Sequence, residues 1–231
     1  MPGRAAIVKK GERKARISMI ISLLESWYGI PKRVEEADPL DGLIRTILSQ
    51  NTNDRNRDRA YQSLSENYPT WDSVLEAGEK SLSLVIKVGG LASVKARRII
   101  KILESLKKTH GSLSLEFLKE FDSEEAENFL RSFDGVGYKT ARCVLLFGLG
   151  RAVFPVDTHI FRVTKRLGII PDKTNLQMAH EILGNEVPVE KRYSFHLNLI
   201  EHGRKVCKSR SAYCLECCLR EVCTFSLQPS R

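Results

Sequence analysis

Two stretches of this chain bring together residue types that do chemistry: DGVGYKTA at 134–141 and CKSRSAYCLECCLREVC at 207–223. In the first, Gly135 and Gly137 flank Val136, and Lys139 follows Tyr138 at the mouth of a helix. A dinucleotide fingerprint is excluded, because the preceding segment is helical in pattern and Thr140 stands where the third glycine belongs. A P-loop is excluded as well, since Tyr138 rather than glycine precedes the lysine. The third reading is a hairpin between two helices. Glycine takes backbone angles closed to other residues and lets a ligand approach closely. The unpaired amides at the mouth of the next helix then suit a phosphodiester anion. A plain interhelical turn, with glycine serving geometry alone, is the competing reading.

The second stretch holds five of the six cysteines. Cys207, Cys214, Cys217 and Cys223 are separated by six, two and five residues. A disulfide framework does not suit a reducing compartment. Zinc ribbons usually pair two short CxxC knuckles across a longer gap, so zinc fits less well. A compact loop supplying four thiolates to a cubane 4Fe–4S cluster fits better. Cys218 is read as a bystander, because only the six-two-five spacing avoids adjacent ligands. Cys143, among Ala141, Val144 and Leu145, reads as a small core residue. A zinc deaminase is excluded, since no histidine stands two residues before a glutamate.

The elements that must position these stretches are helices. Ile17, Ile20, Ile21 and Leu24 fall at helical spacing. In DPLDGLIRTILS, Asp38 can cap, Pro39 suits the first helical position, and Leu40, Leu43, Ile44, Ile47 and Leu48 share a face. Ile99, Ile102, Leu103 and Leu106 form another stripe. Ala126, Phe129, Leu130 and Phe133 form the next, behind a capping box from Asp122 to Glu125. Ile160, Val163 and Leu167 precede a stop at Gly168 and Pro171. Thr174 with Gln177 opens the following helix, and Tyr193, His196, Leu197 and Ile200 mark the last long one. No alternating strand of useful length is visible, so the fold class is all-α.

Lysine and arginine outnumber the acids 37 to 28 over 231 residues, a formal charge of +9. That excess favours a polyanionic partner, nucleic acid ahead of an anionic membrane, since no long apolar run or lipidation signal is present. The start, MPGRAAIVKKGERKARISMIISLLESW, is basic and then apolar. Ser18, Ser22 and Glu25 interrupt the apolar part and no cleavage site follows, which argues against a signal peptide. It reads as a basic arm running into an amphipathic helix, in an intracellular protein of the cytoplasm and nucleoid, or of a nucleus.

LSQNTND (48–54), GLASVKA (90–96), GVGYKTA (135–141), VDTHIFR (156–162) and the cysteine loop occur in this order. With them the chain resembles the endonuclease III family of DNA glycosylases, the iron–sulfur branch of the helix-hairpin-helix superfamily, from about Asp38 to Cys223. The resemblance implies two all-helical domains flanking a DNA-binding cleft. One is a bundle over residues 32–151; the other combines 1–31 with 152–231 and carries the cluster. It implies a monomer acting on double-stranded DNA that holds a damaged base or an abasic site.

By the same resemblance Lys139 is the catalytic nucleophile and Asp157 its carboxylate partner. An amine can attack the anomeric carbon, displace the base and become a Schiff base that permits β-elimination. A carboxylate stabilises the cationic sugar. A free lysine titrates near 10.4, so only about one in 2,500 is neutral at pH 7. Burial and a helix N-terminus push that value down, and the carboxylate pushes it up. Asp157 can also cap its helix. A base must leave the duplex to be attacked. The family fills the gap with a polar residue, here Gln50 or Asn51, and a leucine, here Leu91. The hairpin from Gly135 through Val136 and Gly137 to Tyr138 holds the backbone, with His159, Lys208 and Arg210 as further phosphate contacts.

Two departures bear on the substrate. Phe133 and Asp134 stand where the family commonly has leucine-proline, and Ala92 where it often has tyrosine. An oxidised pyrimidine is the expected lesion, with mismatched thymine or another modified pyrimidine also open. The alternatives are a monofunctional mismatch glycosylase, which lacks a lysine at position 139, and a non-catalytic hairpin module that only holds DNA.

Overall fold

In a computed structural model the described residues are 10–33 and 38–226. The basic N-terminal arm over residues 1–9 lies outside them. Ten α-helices occur in chain order among the described residues. They are α1 (Lys10–Tyr28), α2 (Pro39–Ser49), α3 (Asp54–Asn67), α4 (Trp71–Val85) and α5 (Ala92–His110). After these come α6 (Ser123–Arg131), α7 (Tyr138–Cys143), α8 (Thr158–Arg166), α9 (Leu176–Glu186) and α10 (Arg192–Lys205). Short 3₁₀ turns join several of them, and the only β pairing among the described residues is an isolated bridge between Cys207 and Ala212. The protein is all-α.

The chain divides into two compact units, Val34–Arg151 and Met1–Arg33 with Ala152–Arg231. In the continuous unit α2 is the central rod, packed on α3, α5, α7 and the π-helical turn Val144–Gly148 that prolongs α7. Asp38 caps α2 through the Leu40 amide and Pro39 occupies its first turn. Leu40, Leu43, Ile44, Ile47 and Leu48 are all fully buried, each worth about 1.5–3 kcal/mol of transfer free energy. Around α6 the capping box from Asp122 to Glu125 is formed in both directions. Cys143 is buried, as a small core residue should be.

In the discontinuous unit α1 packs on α9 and α10, and α8 on α10. Ile17, Ile20, Ile21 and Leu24 meet Phe154, Val156, Ile160, Val163, Phe195 and Leu199 in one core. Two local expectations shift. Asn175, not Thr174, caps α9 by accepting from the Met178 amide, while Thr174 is buried. On α10 the buried face runs through Phe195, Leu199 and His202, with Tyr193, Leu197 and Ile200 only partly covered. The face is turned because polar His202, Ser194 and Asn198 find partners inside the unit.

Truncating the central rod should cost far more than uncapping a peripheral helix. Ile44→Ala is expected to lose about 2–5 kcal/mol and Asp122→Ala about 1 kcal/mol, as read by urea unfolding.

Candidate functional site

The glycine hairpin forms between α6 and α7. Gly135 has φ +78°, a left-handed angle that favours glycine. A Cβ built there would also lie 2.3 Å from Arg98 Nε. The Val136 amide donates to Phe133 O at 3.1 Å, and Val136 is buried. No side chain caps α7, so its first-turn amides have no intrahelical acceptor and suit an anion. Tyr138 lies under Arg131, whose guanidinium carbon is 3.6 Å from the ring centroid. Lys139 follows in the first turn, half-buried. Asp134, at the entry to the turn, is exposed.

Two further loops belong to the same unit. Among the described residues only Asn51 and Leu91 are non-glycine residues with left-handed φ, +52° and +49°. Such angles cost a non-glycine side chain energy and cluster where function requires them. Both residues are exposed, Leu91 by 55%, so Leu91 is not a core residue. Gln50, by contrast, is engaged at both ends. Its Nε2 donates to Gly135 O at 3.1 Å and its Oε1 accepts from Arg98 Nη1 at 2.9 Å.

Lys95 holds the two loops together. It is 1% exposed, and its ammonium donates to Leu48 O at 2.7 Å and Gly89 O at 2.8 Å. Burial lowers its pKa. Leu48 ends the apolar face of α2, just before Gln50 and Asn51; Gly89 lies two residues before Leu91. Sequence reasoning missed Lys95 and Arg98. The signal was there for Lys95, which sits four residues before Ile99 on the apolar stripe of α5, where a lysine must find an internal partner.

In the discontinuous unit Asp157 caps α8, its Oδ1 accepting from the Ile160 amide at 2.7 Å. The chain leading into it is pinned by two buried histidines. His196 Nδ1 is 3.0 Å from Pro155 O and His180 Nδ1 is 3.3 Å from Phe154 O. A carbonyl can only accept, so each Nδ1 carries its proton. His159 Nδ1 lies 3.1 Å from Arg162 Nη2, which also donates to Gly203 O and Cys207 O. Lys208 is half-buried over the Tyr213 ring, and Arg210 is exposed.

Cys207, Cys214, Cys217 and Cys223 line one cavity beneath α8 and α10; Cys218 does not and opens to another hollow with Met19 and Leu23. Three N–H groups face sulfur: Arg166 Nη1 at 3.4 Å from Cys207, the Leu219 amide at 3.4 Å and His202 Nε2 at 3.5 Å, both from Cys217. His202 is held neutral, its pKa pushed down to about 4 by burial. The Tyr28 hydroxyl lies 3.0 Å from its Nδ1. With that hydroxyl donating, the ring proton lies on Nε2 and points at Cys217. Burial, then the neighbouring thiols, push the Cys217 thiol up to about 11. Ionisation therefore needs a cationic group in the cavity. Among the described residues no three His, Cys, Asp or Glu side chains converge as on a single ion. Four thiols lining one cavity, with N–H groups facing two of the sulfurs, are a donor set of the soft kind that thiophilic metals prefer.

No helix among the described residues is long and apolar enough to cross a membrane. Residues 44–186 match the family described as HhH-GPD superfamily base excision DNA repair protein. A putative DNA glycosylase of Arabidopsis thaliana is 42% identical over 76% of the chain, which spans 59% of that protein. The endonuclease III of Thermotoga maritima is 33% identical over 84% of the chain and 87% of its own length. Among solved structures, a trapped endonuclease III–DNA covalent intermediate, an estranged-adenine complex, superposes with a TM-score of 0.78 at 26% identity. That match covers 92% of this chain and 96% of the other.

The folded chain binds the Lys95 proton less tightly than the unfolded chain, since burial lowers the folded pKa. Stability therefore rises with pH from that lowered value up to the unfolded value of about 10.4. Lys95→Met should abolish this rising limb. It should also lose about 2 kcal/mol or more by leaving two buried carbonyls without a donor. Urea unfolding at pH 7 and at alkaline pH reads both effects.

Proposed function

Since the chain belongs to the HhH-GPD superfamily of base excision DNA repair proteins, and to its endonuclease III branch, we propose that it removes a damaged pyrimidine from duplex DNA and then nicks the abasic strand through Lys139. The supporting observation is that the loops bearing Asn51, Leu91 and Lys139 are cross-linked within one unit by the hydrogen bonds of Lys95, Gln50 and Arg98. A gap filler, a wedge and an amine are what extrusion of a nucleoside followed by covalent chemistry needs.

The hairpin amides at Gly135 to Tyr138 grip the phosphodiester, with Lys208 and Arg210 adding cationic contacts. Leu91 enters the stack and Asn51 fills the space left by the extruded nucleoside. The neutral amine of Lys139 donates its electron pair to the anomeric carbon. The glycosidic bond breaks and the base leaves, taking a proton. The C1′–O4′ bond then breaks, O4′ takes up a proton, and the nitrogen lone pair forms the protonated Schiff base. Removal of a C2′ proton then expels the 3′ phosphate. Asp157 caps α8 with one oxygen, and its other oxygen stabilises positive charge on the sugar and assists the proton transfers.

Cys207, Cys214, Cys217 and Cys223 would hold a 4Fe–4S cluster, with Cys218 outside it. When bound, the cluster cross-links the cysteine loop and takes no part in breaking the glycosidic bond.

Borohydride reduction on abasic-site duplex should trap a covalent adduct with the natural chain, none with Lys139→Ala, and at least 100-fold less with Asp157→Asn, an effect of the size expected for positioned acid–base groups. Retained trapping in Lys139→Ala would mean that another amine is the nucleophile. Purified protein should contain iron and acid-labile sulfide with visible absorption that dithionite bleaches. Cys217→Ser should lose that absorption, whereas Cys218→Ser should keep it.

A further inference from the structure

Two of the basic side chains on the first turns of α5, Lys95 and Arg98, make different connections. Lys95 ties the end of α2 to the turn before Leu91. Arg98, three residues on, reaches the hairpin. Its side chain lies across Gly135 so closely that a Cβ there would meet Nε at 2.3 Å and Cδ and Cζ at 2.6 Å. Its Nη1 donates to Gln50 Oε1, and Gln50 Nε2 donates onward to Gly135 O. This fixes the orientation of the Gln50 amide. A guanidinium only donates and a carbonyl only accepts, so a flipped amide would lose both bonds. Gln50 could enter a base stack only by breaking both. Asn51 next to it has no such ties: it is exposed and already held at φ +52°. Arg98 Nε is buried with no hydrogen-bond partner, which marks a guanidinium placed for this contact at a cost in desolvation.

We propose that Arg98 and Gln50 form a latch that joins the gap-filling loop to the phosphate-gripping hairpin, so that Gln50 stays in the protein while Asn51 alone enters the DNA. Gln50 and Arg98 are positioning residues acting through Asn51. Once the hairpin has gripped a phosphate, the latch fixes where Asn51 meets the helix. Hairpin grip and gap filling then occur as one rigid movement. The inference rests on the DNA-repair reading above.

The test uses the full-length protein and a duplex carrying a tetrahydrofuran abasic analogue, with 2-aminopurine beside it to report filling of the stack. An undamaged duplex reports the phosphate grip. Asn51→Ala should lose the filling signal. Arg98→Ala and Gln50→Ala should each weaken it about tenfold, the size of one or two hydrogen bonds, and together no more than the worse of the two. Gln50→Glu keeps an acceptor for Arg98 but has no proton for Gly135 O, so it should weaken filling. Affinity for undamaged duplex should fall by less than the filling signal in each variant. In the Asn51→Ala background, Arg98→Ala should have no further effect. A filling signal lost in Gln50→Ala but kept in Asn51→Ala would overturn the proposal, because Gln50 would then be the inserted residue. An unchanged signal in both Arg98→Ala and Gln50→Glu would overturn it too. Either result with intact borohydride trapping leaves the repair reading standing. Absence of trapping and of duplex binding by the natural chain would remove both.

Discussion

The ammonium of Lys95, buried without an anion and satisfied by two main-chain carbonyls, is the contact on which the placing of both strained loops depends. Asn51 and Leu91 are exposed and in left-handed backbone, so burial, the strongest stabilising force available, does not hold them. Each such angle costs roughly 1–3 kcal/mol and persists only where its flanks are fixed. Leu48 and Gly89 are those flanks. A carboxylate partner for Lys95 would have drawn the ammonium to a side chain. With only carbonyls available it binds the backbone of both loops directly.

The same division of labour explains the geometry of α2. Its five fully buried aliphatic residues fix the rod, and its last carbonyls and the Gln50 amide then become connection points for α5 and the hairpin. Packing supplies position, and a few hydrogen bonds transfer that position to loops that packing does not reach. At Gly135 the left-handed φ favours glycine, and a Cβ there would also push the Arg98 side chain off the hairpin.

Legibility followed the range of the interactions. The stripes at Ile17 to Leu24, Leu40 to Leu48 and Ile99 to Leu106 are helical cores because periodicity is local, and the caps at Asp38 and Asp122 are local too. The all-α class follows from these. One cap was misplaced by a residue, since Thr174 and Asn175 are both good caps and burial of Thr174 decides between them. The buried face of α10 departs from the stripe Tyr193, His196, Leu197 and Ile200 because polar His202 and Asn198 are each buried against a partner distant in sequence. Site geometry lay further out of reach. The Gln50–Gly135 contact spans 85 positions and Arg98–Gln50 spans 48. No spacing rule connects such pairs. Hence the resemblance names Gln50 and Asn51 together, and the network around Gln50 is a contrast that no local pattern carries.

In the discontinuous unit, α8 connects Asp157 to the cysteine loop. Asp157 caps its start. Arg162 and Arg166, on later turns, donate to the carbonyls of Cys207, Lys208 and Ser209 in the cysteine loop. Thr224 and Cys223 return hydrogen bonds to the carbonyl of Arg166. Nine helical residues make a rod of about 13 Å, too short to bend appreciably. A disordered cysteine loop would release Arg166 and part of the Arg162 network, while the bond from Arg162 to Gly203 O, the packing of α8 on α10 and the histidine contacts before Asp157 remain. The ties from Arg162 and Arg166 thus link the cysteine loop to the same short helix whose first turn Asp157 caps.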